Sequence, residues 1–143
     1  MANNFWITQA CAKAMMDAFN AQVDVGTAAV ITIFDGVVPA TADTALSSNN
    51  VLAQLTCSAT AFGAATTAHP SVVTAAAIAS DTSADSTGTA SFFRIFTQSD
   101  NTTPKAQGTA GVGSFDLNLN TTAFTSGSTV AITSATVSLP CGA

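Results

Sequence analysis

Apolar and polar positions follow two different periods along this chain, and the change from one to the other comes early. After Thr8, apolar residues fall at Cys11, Met15, Ala18 and Phe19, with Lys13 and Asp17 on the other side of the cylinder. This spacing predicts one amphipathic helix over residues 8–22, and its Ala and Met content suits a helix. Downstream, β-branched residues and hydroxyls dominate and the period shortens to two. Residues 28–34 (AAVITIF) predict a strand that stops at Asp35-Gly36, a dipeptide suited to positive φ. Residues 51–57 (VLAQLTC) place Val51, Ala53, Leu55 and Cys57 on one face. Further strands are predicted over 71–79, 89–97, 105–111, 115–119 and 128–139.

Between these runs, residues 41–50, 80–88 and 99–104 are clusters of Ser, Thr, Asp, Asn and Pro, which read as loops. Seven or eight short antiparallel strands with turn signals between them predict a mainly β fold, a jelly roll or β-sandwich with one N-terminal α-helix. There is no internal repeat and no composition break. The chain reads as a single domain over 1–143, with an N-terminal arm and helix over 1–25 and the sandwich over 26–143. Within the predicted strand 89–97, Phe92, Arg94 and Phe96 share one face while Phe93 and Ile95 take the other. Apolar residues on both faces predict a central strand, so these phenylalanines read as core.

Composition narrows the function classes. The chain is 48% apolar but only 8% charged, so its surface must be built largely from hydroxyls and small side chains. Weak charge repulsion between molecules favours packing against partners. The net charge is −5, from eight aspartates and no glutamate against Lys13, Lys105 and Arg94. Three scattered cations cannot supply the phosphate contacts that nucleic-acid binding needs, so no nucleic-acid partner is expected. No apolar run has the continuity of a membrane span, and the first nine residues lack the basic region of a secretory signal. No membrane association is expected, and synthesis in the cytoplasm is.

Catalytic chemistry has little to work with. His69 is the single imidazole, with no nucleophile motif beside it, and reads as a loop or strand-edge residue. No Glu or Tyr is present, and Asp24, Asp35, Asp43, Asp81, Asp85, Asp100 and Asp116 fall in or beside predicted turns, where Asp bonds local backbone. The stretch 81–88 (DTSADSTG) offers alternate oxygen ligands but has Ser86 where a calcium loop of the EF-hand type has glycine, and Phe92 where it has its bidentate acid. Gly108, Gly111 and Gly113 precede no helix that would cradle a phosphate. Cys11, Cys57 and Cys141 match neither a zinc nor a disulfide spacing and read as buried or incidental thiols. Cys141, after Pro140, has the alternative of an exposed thiol that crosslinks subunits. No catalytic residue, metal or cofactor is expected, and the chain reads as a non-enzyme. Phe5 and Trp6, just before the helix, have two readings: a hydrophobic staple folding the arm back, or an anchor inserted into a partner protein.

The order of motifs in the C-terminal half resembles small virion proteins of tailed bacteriophages. It runs Ala90-Ser91-Phe92-Phe93-Arg94-Ile95-Phe96, Asp100-Asn101, Gly108-Thr109, Asp116-Leu117-Asn118-Leu119, Gly127, then Val130-Ala131-Ile132-Thr133-Ser134. The opening Ala10-Cys11-Ala12-Lys13-Ala14-Met15-Met16-Asp17-Ala18-Phe19, followed by a strand and Asp35-Gly36, is similar to their N-terminal helix. The resemblance covers about three quarters of the chain and leaves 41–85 unmatched. It implies a jelly-roll capsid cement (decoration) protein on the capsid exterior of the virion, often a homodimer, that clamps neighbouring major capsid proteins. The matched positions are scaffold, so no contact residues carry over. The same composition permits a tail or neck protein. A carbohydrate-binding jelly roll is a third reading, with few aromatic platforms to support it.

Overall fold

The computed structural model describes residues 5–26, 28–97 and 100–141, with the backbone alone at 100 and 101. Among the described residues, one helix, α1 (Gln9–Val23), is followed by nine strands: β1 (Ala29–Phe34), β2 (Val51–Thr56), β3 (Ser71–Thr74), β4 (Gly88–Thr89), β5 (Phe92–Thr97), β6 (Asp100–Gly111), β7 (Leu117–Asn118), β8 (Ala123–Phe124) and β9 (Thr136–Leu139). The chain is thus mainly β with one helix, consistent with the sandwich expected. A five-stranded sheet runs in the order β2-β1-β5-β6-β7, and two ribbons pair β3 with β9 and β4 with β8. The pairing is antiparallel except for β6 and β7, which run parallel, a departure from the all-antiparallel expectation.

Several strand limits also differ. The run predicted over 89–97 breaks into β4 and β5, because Ala90 and Ser91 turn aside to bond Thr122 O and Phe34 O. β6 starts at Asp100, so most of the loop expected over 99–104 is strand, and Ser99 lies outside the described residues. Of the runs predicted over 71–79 and 128–139, only β3 and β9 form strands, and beyond them the pairing is the single bridges Phe62–Ala75, Cys57–Ile78 and Asp81–Val130. β8 was not legible: two residues carry no period.

β5 is central, as its two-sided hydrophobicity predicts, and β1 lies beside it inside the sheet. All six residues of β1 are buried. Ala29, Ile31 and Ile33 face the main core with Leu55, Ile95, Val73 and Phe62. The other face carries a smaller cluster of Phe34, Phe92 and Phe96, the first two stacked at 5.1 Å between ring centroids. Burying one such side chain contributes about 1.5–3 kcal/mol, so the main core is the larger share of the stability. Asp35-Gly36 does take positive φ, +79° at Gly36. It opens a long loop instead of a tight hairpin, and Asp35 closes the neck of that loop by accepting from Asn50 N (2.6 Å) and Asn50 Nδ2 (2.9 Å).

Thr8 caps α1, its hydroxyl accepting from Cys11 N. The face that α1 buries is not the one its apolar series predicts. Ala12, Met16, Asn20 and Val23 are buried and Phe19, the last of the predicted series, is half-buried against Phe62, while Cys11, Met15 and Ala18 are exposed. The reason is polar. Asp17 Oδ1 accepts from Ala65 N (3.1 Å), Asn20 Nδ2 donates to Gly63 O (2.9 Å), and Asp24 Oδ1 accepts from Ala61 N (2.8 Å). These side chains lie three and four residues apart, on one helix face. They satisfy backbone groups along 61–65, a segment whose Gly63 N and Ala61 O are bonded to residues 74 and 76. Leaving the groups at buried Ala61 and Ala65 unpaired would cost about 1–3 kcal/mol each.

Candidate functional site

Two surfaces stand apart from the rest of the molecule. The first is the outer side of α1. Because hydrogen bonding turns the Asp17–Asn20–Asp24 side inward, Cys11, Ala14, Met15, Ala18 and Ala21 face solvent. Phe5 (87% exposed) and Trp6 (56% exposed) stand at the start of the same helix. The arm does not staple Phe5 to the fold, so the two aromatics present their apolar area outward. A surface with large aromatics and few charges has the composition of interface cores. Lys13 and Asp17 border it as an i,i+4 ion pair. The Lys13 ammonium and the Ala65 amide hold the Asp17 carboxyl below the usual carboxylate range.

The second surface lies on the smaller-core face of the sheet, beneath the loop over 36–50. Strand register aligns Gln54 with Thr32, Thr32 with Arg94, and Arg94 with Gln107, one polar row across β2, β1, β5 and β6. Phe34 and Phe92 border this row on one side and Phe96 on the other. Arg94 is only 3% exposed. Its Nε donates to Gln107 Oε1 (2.9 Å), and its Nη2 donates to Thr44 O (2.7 Å) and Thr41 O (3.4 Å). Gln107 Nε2 in turn donates to Pro39 O (2.8 Å). The row therefore pins the loop over the sheet, while a cleft of about 540 Å³ stays open between them. Burial lowers the Arg94 pKa from its usual value, and the charge of Asp43 on the loop opposes that effect. Sequence reading placed Arg94 among core phenylalanines but missed the row. The available signal was a cation at the centre of an apolar strand, which must find partners when buried.

The remaining candidates do not converge. His69 is exposed; its Nδ1 lies 3.1 Å from Cys141 Sγ, and that thiol also reaches Ala68 O. Cys141 is buried, so the exposed-thiol alternative is corrected; Cys11 is the exposed cysteine. The aspartates act over longer range than the turn reading expected. Asp81 accepts from Gln54 N across the fold as well as from Ser83 N, and Asp116 accepts from the Thr109 amide and hydroxyl. Those backbone donors occupy both Asp81 oxygens of the stretch 81–88. Among the described residues, no three His, Cys or Asp side chains gather where a metal ion would sit, and no helix is long and apolar enough to cross a membrane.

Comparison with known proteins gives no match to a family model, to a curated protein or to a solved structure.

Proposed function

We propose that this chain is a non-enzymatic structural protein of a virion, which binds the outer surface of a tailed-phage capsid and bridges neighbouring major capsid proteins. The observation that carries the reading is the outward apolar face of α1 with Phe5 and Trp6 at its head. The fold turns this area outward even though the helix has apolar residues on both sides. Exposed large aromatics beside an exposed apolar helix face mark a place where another protein docks. A shell multiplies small increments: each contact is modest, and repetition over symmetric copies stabilises the whole head.

Trp6 is the single tryptophan, so its fluorescence reports the contact directly. Adding the protein to expanded heads that lack it should shift the emission to the blue and raise the temperature at which the heads release DNA. Phe5→Ala with Trp6→Ala should weaken binding at least about tenfold, since aromatic anchors contribute 2 kcal/mol or more. Heads that fail to bind the wild-type protein across a range of salt would overturn the proposal.

A further inference from the structure

The polar row under the 36–50 loop holds more hydrogen-bonding capacity than the protein uses. Arg94 Nε and Nη2 are bonded, but Nη1 has no partner among the described residues and is not sealed from solvent. Beside it in the row, Thr32 is 3% exposed, lines the same cleft, and its hydroxyl has no partner among the described residues. The next residue, Gln54, reaches the cleft with a side-chain amide that is likewise unbonded. Nη1, the Thr32 hydroxyl and the Gln54 amide are thus three donors from adjacent strands at one opening. Leu46, Val51 and Pro104 supply apolar wall around them. The volume falls within the range of small-ligand sites.

We infer that this cleft is a binding site for a carboxylate carried on a small apolar body, with Arg94 and Thr32 holding the carboxylate and the 36–50 loop as its roof. A carboxylate matches the donor set because it accepts from several donors in one plane, and charge-assisted bonds to guanidinium are the stronger kind. The carboxylate belongs either to a free organic acid or to an acidic side chain of a partner protein. Asp43, on the roof, sets the limit: it partly balances Arg94 and disfavours a second anion. This inference does not depend on the capsid reading.

Amide chemical-shift titration of the full chain tests it, with 3-phenylpropanoate, its neutral analogue 3-phenylpropanamide, and the blocked tripeptide acetyl-Leu-Glu-Leu-amide as probes. The acid should give saturable shifts at residues 32, 54, 94 and 44–46, with a Kd of about millimolar order, and the amide should not. Tighter binding of the tripeptide than of the free acid assigns the site to a protein side chain, and the reverse assigns it to a free acid. Thr32→Val should keep the fold, since that hydroxyl bonds nothing among the described residues, yet weaken binding at least about fivefold. Asp43→Asn should tighten it. Equal binding of acid and amide, no saturable shift with either carboxylate, or an unaffected Thr32→Val would overturn the inference.

Discussion

Replacing Asn20 by Asp changes one atom type at the point where α1 is pinned to the fold, and the consequence follows from its surroundings. Asn20 is 8% exposed; its Nδ2 donates to Gly63 O at 2.9 Å, and its Oδ1 has no partner among the described residues. A neutral carboxyl at this position keeps a donor for Gly63 O. The ionised form has none, is buried, and sits between Asp17 and Asp24 on the same helix face. All three effects raise the folded-state pKa above the unfolded value of about 3.9. Below about pH 3.9 both states hold the proton and the variant should lie close to the wild type. As pH rises past that value the unfolded state ionises first, so the variant loses about 1.4 kcal/mol per pH unit relative to the wild type until the folded pKa is passed. A shift of two to three units, below the maximum for full burial, gives a deficit of about 3–4 kcal/mol at neutral pH. Urea denaturation of both proteins from about pH 3 to pH 8 measures the difference, which cancels the acid sensitivity they share. A deficit that is constant with pH, or below about 0.5 kcal/mol throughout, would refute the claim that Asn20 is a buried donor fastening the helix.

Three further outcomes are expected. Gly88→Ala should destabilise by about 1–3 kcal/mol in thermal denaturation, because its Cβ would sit 2.8 Å from Leu52 Cδ2 and 3.2 Å from Asp35 Oδ2, and Asp35 is itself committed to Asn50. The Cys57 thiol is pushed up to about 11, by burial first and the charge of Asp24 second; iodoacetamide near pH 8 should label exposed Cys11 in the native protein and reach Cys57 only after unfolding, as read by peptide mass spectrometry. The Thr109 amide and hydroxyl hold the Asp116 carboxyl below the usual range, so its contribution is present above the unfolded pKa of about 3.9 and is lost as pH falls through the folded value. Asp116→Asn should therefore flatten the acid limb of the stability profile, and an unchanged limb would contradict this.

Local pattern made the helix, the central strands and most loops readable, because period and turn chemistry act over a few residues. Apolar residues on both faces of SFFRIF announced a strand at the middle of a sheet, and AAVITIF, read only as a strand, lies beside it there. Short pieces such as β8, and the break between β4 and β5, carry no local period and take their shape from bonds to distant segments.

The amino-acid order by itself determined that this chain would be mainly β, with one capped helix ahead of it and few charges on its surface. Which side of the helix would be hidden was beyond it, since Cys11-Met15-Ala18 and Ala12-Met16-Val23 are both apolar. Backbone donors and acceptors at Ala61, Gly63 and Ala65, brought to the helix from about forty positions away in sequence, settled that choice by bonding Asp17, Asn20 and Asp24. The row from Gln54 to Gln107 likewise exists only once four strands are in register, and a one-residue slip in any of them would turn its side chain to the opposite face of the sheet.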